Sequence, residues 1–158
     1  MKHEYGYLRV LDGGFGNNST GDDVALNSVS ASLTTNVSIN SAFPTYADVT
    51  GLAVTFTTTR VNQPVIISLT CTVLGGASTS YAGCAYKINS GSYIGLAFLD
   101  RVAGTSGTYA NLSCTIPWPP TAIGTYTIQI GGVNGTAAVN FLGASSAPEA
   151  QSTLTAVY

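Results

Sequence analysis

The stretch from Gly51 to Val73, GLAVTFTTTRVNQPVIISLTCTV, constrains the fold of this chain more than any other. Leu52, Val54 and Phe56 alternate with Ala53, Thr55 and Thr57. Val65, Ile67, Leu69, Cys71 and Val73 then alternate with Ile66, Ser68, Thr70 and Thr72. Successive side chains of a strand point to opposite faces, so a period of two places one set of each run on a buried face. Val, Ile and Thr suit that pleated, half-buried surface. Asn62 and Pro64 interrupt the pattern between the runs, as a connection between strands requires. Two strands with one apolar face each need a second layer to cover them.

The same punctuation continues along the chain. Gly, Ser, Thr and Asn separate short alternating runs, and Glu, Lys and Leu are too sparse to build an amphipathic helix. Strands are expected at Ala31–Ile39, Tyr46–Val49, Leu52–Thr58, Val65–Val73, Tyr81–Ile88, Tyr93–Val102, Leu112–Trp118, Gly124–Ile130, Ala137–Leu142 and Thr153–Tyr158. Short strands at this spacing predict an all-β fold, an antiparallel jelly-roll β-sandwich. The last of them, TLTAVY, is expected inside a sheet beside an early strand. Residues 1–30 differ: they hold half of the charged residues and the only His, and read as an extended N-terminal arm and linker before a sandwich domain at 31–158. Within that arm, Tyr5–Leu11 reads as a short strand and DGGFGNNSTGDD as a glycine-rich hinge.

Charge is the second constraint. Charged residues make up 8% of the chain, against roughly 25% in an ordinary domain. The net charge is −2, and the five bases are scattered. Nucleic acid calls for a clustered basic face, so no nucleic-acid partner is expected. No apolar run approaches the roughly 18 residues of a membrane helix, and no membrane partner is expected. The opening residues, MKHEYGYLRVLDGG, lack the unbroken apolar stretch of a signal peptide. A small domain with so little charge is poorly protected against association. Its surface is therefore expected to be covered by partner subunits. Thr55, Thr57, Ile66, Ser68 and Thr70, the outward set of the two opening strands, are expected to form an uncharged, β-branched surface, some of it lying against a neighbouring subunit.

Residues with catalytic chemistry are few. His3 lies in the arm, away from any Ser or Cys of the strands. Of the acids, only Asp48 and Asp100 sit in the strand region, so they alone could form a glycosidase-like pair. The expectation is instead that Asp48 stabilises a turn before Gly51 and that Asp100 pairs with Arg101 or Arg60. Asp12, Asn17, Asn18, Asp22 and Asp23 do not match the spacing of a calcium loop, and GGFGN lacks the end of a phosphate loop. Cys71, Cys84 and Cys114 each sit in an alternating apolar run without a neighbouring His, and are expected to be buried free thiols rather than metal ligands. No catalytic residue, metal or cofactor is expected. The aromatic residues are expected mainly in the core or at subunit contacts, with Tyr109 and Trp118 the candidates nearest to loops for contacting a receptor.

The order of motifs resembles a known pattern. TYADVTGLAVTFTTTRVNQPVIISLTCTV, followed by YAGCAYKINSG, GTYTIQI and TLTAVY, is similar to tailed-phage virion proteins with a jelly roll of the tumour-necrosis-factor type. The similarity covers roughly residues 41–158. Here KINSGS stands where that family often has a turn of the xDG kind. The resemblance implies a homotrimer without catalytic residues, found as a capsid decoration protein, a head fibre or a tail-fibre tip. The leading expectation is a non-enzymatic capsid decoration or cement protein on the outer surface of the virion, assembled in the host cytoplasm. Its partner would be the major capsid protein of the same virion, contacted by Tyr5, Tyr7, Leu8, Val10 and Phe15 of the arm. The alternative is the receptor-binding tip of a head or tail fibre, with a host-surface glycan as partner and Tyr109 and Trp118 in its contact loops.

Overall fold

A computed structural model describes residues 10–11, 14–15, 27–75, 80–102, 109–135, 137–144 and 151–158. Its strands are β1 (Val10–Leu11), β2 (Gly14–Phe15), β3 (Ser28–Ser32), β4 (Val37–Ile39), β5 (Ala47–Thr58), β6 (Val65–Leu74), β7 (Ser80–Ile88), β8 (Ile94–Val102), β9 (Tyr109–Trp118), β10 (Gly124–Asn134), β11 (Val139–Phe141) and β12 (Thr153–Val157). Among the described residues, no helix is long and apolar enough to cross a membrane.

One sheet has the order β5-β10-β7-β8. The other is built around β6. β9 pairs along the whole of one edge of β6, from Val65↔Trp118 to Leu74↔Tyr109. β12 and β11 must therefore share the opposite edge, at Ile66–Thr70 and Val73–Leu74 respectively. β3 then pairs β12, and β4 pairs β11. β1 and β2 form a separate two-stranded sheet; among the other ten strands, counting β3 with β4 as one broken strand and β11 with β12 as another leaves eight. In chain order they read 1-8-3-6 in one sheet and 2-7-4-5 in the other, which is the double-sheet arrangement of a jelly roll. All strand pairs are antiparallel, and β12 lies between β3 and β6 as expected.

The alternation read from the sequence puts the core where it was expected. Leu52, Val54 and Phe56 of β5 and Val65, Ile67, Leu69, Cys71 and Val73 of β6 are all buried. Ile128, Ile130, Phe141 and Leu154 complete the contact between the sheets. At one end of this core Phe56 lies against Tyr158, with ring centroids 5.0 Å apart, and Trp118 meets Tyr126 edge-on at 4.8 Å. Trp118 is thus half-buried in an aromatic cluster at the core's edge.

The structure differs from the expected strands in three places. Tyr46–Val49 and Leu52–Thr58 are one strand of 12 residues, β5. Its partner β10 runs in register up to Gln129↔Ala53, and the next pair is Gly131↔Asp48. The intervening residues bulge around Gly51, which sits at φ +92°, a conformation open to glycine at little cost. The bulge shifts the phase of the strand, so Val49 and Leu52, three apart, are both buried. The segment expected as Ala31–Ile39 is instead two strands, β3 beginning at Ser28. Between them Leu33 turns inward and bonds Ser152 and Ala144 through its backbone. Lastly, Gly14–Phe15 within the expected hinge is strand β2, paired with β1 as Val10↔Phe15 and Leu11↔Gly14.

Candidate functional site

Two rows on the outer face of the sheet around β6 are built wholly from hydroxyl-bearing side chains. Pairing aligns its outward residues in rows across four strands. Ser30, Thr155, Ser68 and Thr115 form one row, and Ser32, Thr153, Thr70 and Ser113 the next. Neighbours within a row bond to each other: Ser32 with Thr153 at 3.1 Å and Ser68 with Thr115 at 3.3 Å. The Thr72 hydroxyl donates to the side-chain Oδ1 of Asn111 at 2.9 Å. A third row, Ser28, Val157, Ile66 and Pro117, is apolar over three of its four positions. No charged side chain stands in these rows. Each hydroxyl can donate and accept, so the face is polar but presents no fixed charge to a partner.

The outer face of the opposite sheet carries similar pairs. Thr55 bonds Thr127 at 2.8 Å and Thr57 bonds Thr125 at 2.9 Å. Thr55 and Thr57 therefore lie on the far side of the sandwich from Ile66, Ser68 and Thr70. The single surface expected from these five residues does not exist. β5 and β6 are consecutive in the chain but belong to different sheets, and an outward position on each faces the opposite way.

This second face also carries an ionic cluster. The Lys87 ammonium donates to Asp48 Oδ1 at 2.6 Å, and the Tyr93 hydroxyl donates to the same oxygen. Lys87 Nζ lies 4.7 Å from the centre of the Tyr93 ring, and Tyr46 packs beside that ring at 5.6 Å. The Tyr93 ring lies flat on Gly131, where a Cβ would stand 2.3 Å from it. Asp48 is brought here by the bulge; it does not stabilise a turn before Gly51, because residues 47–58 are strand throughout. The hydrogen bonds from Lys87 and then Tyr93 hold the Asp48 carboxyl below the usual carboxylate range. Burial, and next the bond to Asp48, push the Tyr93 phenol up to about 12. The bond to Asp48 raises the Lys87 ammonium as well. A carboxylate held ionised by two donors is a poor proton donor, so the cluster is arranged as a lock between strands rather than as an acid for bond cleavage. The side chain of Asp100 lies outside the described residues.

Gln129 was passed over in reading the sequence and has a definite role. Its amide nitrogen reaches the carbonyl oxygens of Ile130 at 2.7 Å, Val49 at 3.0 Å and Leu52 at 3.3 Å. It fills the gap that the bulge opens between β5 and β10. The available signal was the slip in alternation across VTGL opposite a polar residue in GTYTIQI.

The remaining candidates fall as follows. Tyr109 is 60% exposed at the start of β9, whereas Trp118 ends the same strand. The length of a ten-residue strand, about 30 Å, separates them, so they do not form one contact site. Of the arm residues, Tyr5, Tyr7 and Leu8 lie outside the described residues, and Val10 and Phe15 are a facing pair of the β1–β2 hairpin. Cys71 and Cys84 are buried, but Cys114 is only half-buried. The bond to Cys71, and then burial, push the Cys84 thiol up, and burial raises Cys114. Among the described residues no group of three His, Cys, Asp or Glu side chains comes together to hold a metal ion.

No family model matches the chain, and no curated protein matches it. Solved structures with similarity to it include that of infectious bursal disease virus, Gt strain, at TM-score 0.45 and 10% identity over 99% of this chain and 45% of that one. The Gx strain of that virus gives TM-score 0.44 and 11% identity over 84% of this chain and 36% of the viral one. The VP2 subviral particle of the same virus gives TM-score 0.40 and 11% identity, over 90% and 41%. The chain thus spans less than half the length of these viral proteins, and its jelly-roll assignment rests on its own strand order.

Proposed function

We propose that this chain is a non-enzymatic structural component of a virus particle, a jelly-roll subunit that packs through its uncharged faces. The observation that carries the reading is the outer face around β6, four strands wide and free of charged side chains in its paired rows. A solitary soluble domain keeps charge on its surface; a subunit covered by neighbours has no such need. That the particle is a phage is proposed from the resemblance of GLAVTFTTTRVNQPVIISLTCTV and the strands after it to tailed-phage virion proteins.

In its finer form the proposal is a capsid decoration protein, acting as a homotrimer on the outer surface of a phage shell. A protein that binds the assembled shell better than its free subunits stabilises the shell by linkage. Tyr5, Tyr7, Leu8, Val10 and Phe15 supply contacts to the major capsid protein, and a partner's sheet edge suits such a segment. The 60% exposure of Tyr109 favours a second reading, a fibre tip that meets a host-surface glycan through the loop end of β9. Gold-labelled antibody against the chain, applied to purified particles and viewed by cryo-microscopy, separates the two. Label spread over the shell supports decoration, and label at the tail alone supports the tip. Particles without label overturn both. A stable monomer in sedimentation would contradict the covered-face argument.

A further inference from the structure

The apolar row Val157, Ile66 and Pro117 does not end at the sheet. β9 runs on from Pro117 into the loop that carries Ile123, and β6 is entered from the loop that carries Val61. The Asn62 backbone N–H donates to the Pro120 carbonyl at 2.8 Å and ties these loops together. Ile123 is 64% exposed, Val61 48% and Ile66 38%. We take this row, which carries no charged side chain, together with the two exposed loop residues at the same end of the sandwich, as the apolar strip; Arg60 precedes Val61 in its loop.

The strip begins where the N-terminal segment departs. Asn27 exchanges both backbone bonds with Tyr158 at 2.8 Å, and Ser28 stands in the same row as Val157. Upstream lies the β1–β2 hairpin, two residues per strand. A two-stranded ribbon of that size is at best marginally stable in water and needs an apolar surface to rest on. Its sequence supplies Val10, Leu11 and Phe15 after Tyr5, Tyr7 and Leu8, alongside the charged Arg9 and Asp12. Residues 16–26 connect it to Asn27. Three strand spacings of about 4.8 Å separate Ser28 from Pro117, roughly 14 Å, and eleven residues reach up to about 36–40 Å. Attachment through so short a connection gives the chain's own hairpin a high effective concentration at the strip.

We infer that the β1–β2 hairpin of this chain docks on its own apolar strip formed by Val61, Ile66, Pro117, Ile123 and Val157. The inference is independent of the virion reading. If the segment also contacts a capsid, assembly exchanges this seat for the shell.

The test is hydrogen–deuterium exchange on the full chain, comparing the wild type with Ile66→Asp/Ile123→Asp. In the wild type, the Val10 and Phe15 amides exchange well below unstructured rates, and equally so over a hundredfold dilution. In the variant they exchange at least tenfold faster, while Leu69 and Ile128 keep their protection and report an intact core. Three results overturn the inference: hairpin amides that exchange at unstructured rates in the wild type, hairpin exchange unaltered in the variant, or protection lost on dilution, which assigns the strip to a second copy. None of these measurements involves virions, so they can fail without touching the proposed function.

Discussion

Replacing Gln129 tests the bulge that sets the phase of β5. Its amide carries two protons and lies within 2.7–3.3 Å of three carbonyl oxygens, those of Ile130, Val49 and Leu52. At most two full bonds form at once, the third oxygen sharing a proton. A neutral hydrogen bond contributes about 0.5–1.5 kcal/mol net, so Gln129→Ala should cost about 1–3 kcal/mol. For a domain of this length that corresponds to a fall in Tm of about 4–8 °C around the middle of the range. Gln129→Glu should cost more than Gln129→Ala, because a carboxylate donates nothing and would face three carbonyl oxygens. Thermal unfolding followed by circular dichroism near neutral pH reads both. A Tm for Gln129→Ala within about 1 °C of wild type, or a Glu variant as stable as the Ala variant, would refute the claim that this side chain closes the gap.

Four further outcomes follow from the ionic cluster and the core. Asp48 has a depressed pKa in the folded state, so its contribution is present above its unfolded pKa of about 3.9 and is lost as pH falls through the folded value. Wild type should therefore lose stability relative to Asp48→Asn as pH drops from neutrality into the acid range, measured by denaturant midpoints across pH. Tyr93, raised to about 12, has the opposite sign: its contribution is present below about 10 and lost as pH rises towards 12. Absorbance titration at 295 nm should show a late-titrating component that disappears in Tyr93→Phe. Gly131→Ala would set a Cβ 2.3 Å from the Tyr93 ring; it should cost about 1–3 kcal/mol and return that late component towards ordinary titration. Gly132→Ala meets Phe141 at 2.7 Å and Ile39 at 3.0 Å inside the core. It should destabilise more than Gly131→Ala in the same assay, since these neighbours cannot swing into water.

What the sequence disclosed and what it withheld divide along a physical line. Burial of Val54, Phe56, Val65, Ile67 and Leu69 follows from local alternation, which each strand carries within itself. The partner of Asp48 is not local. Lys87 is 39 residues away and meets it because β7 and β5 flank β10, a neighbour relation fixed only when the whole jelly roll closes. The same limit explains the error over the outward threonines. Alternation says that Thr55 and Ser68 both face away from the core, but not that their strands lie in opposite sheets. In a jelly roll the chain passes from one sheet to the other between β5 and β6, and again between β6 and β7. Outward residues of consecutive strands there face away from one another. An uncharged face can therefore be assembled only from strands that pair, and here those are β3, β12, β6 and β9, drawn from both ends and the middle of the chain. Ser30, Thr155, Ser68 and Thr115 share a row despite standing in four separate stretches of sequence. A surface specified by such distant segments forms only once the domain is folded. If that face is the contact surface of an assembly, partners meet it after folding, and unfolded chains do not present it.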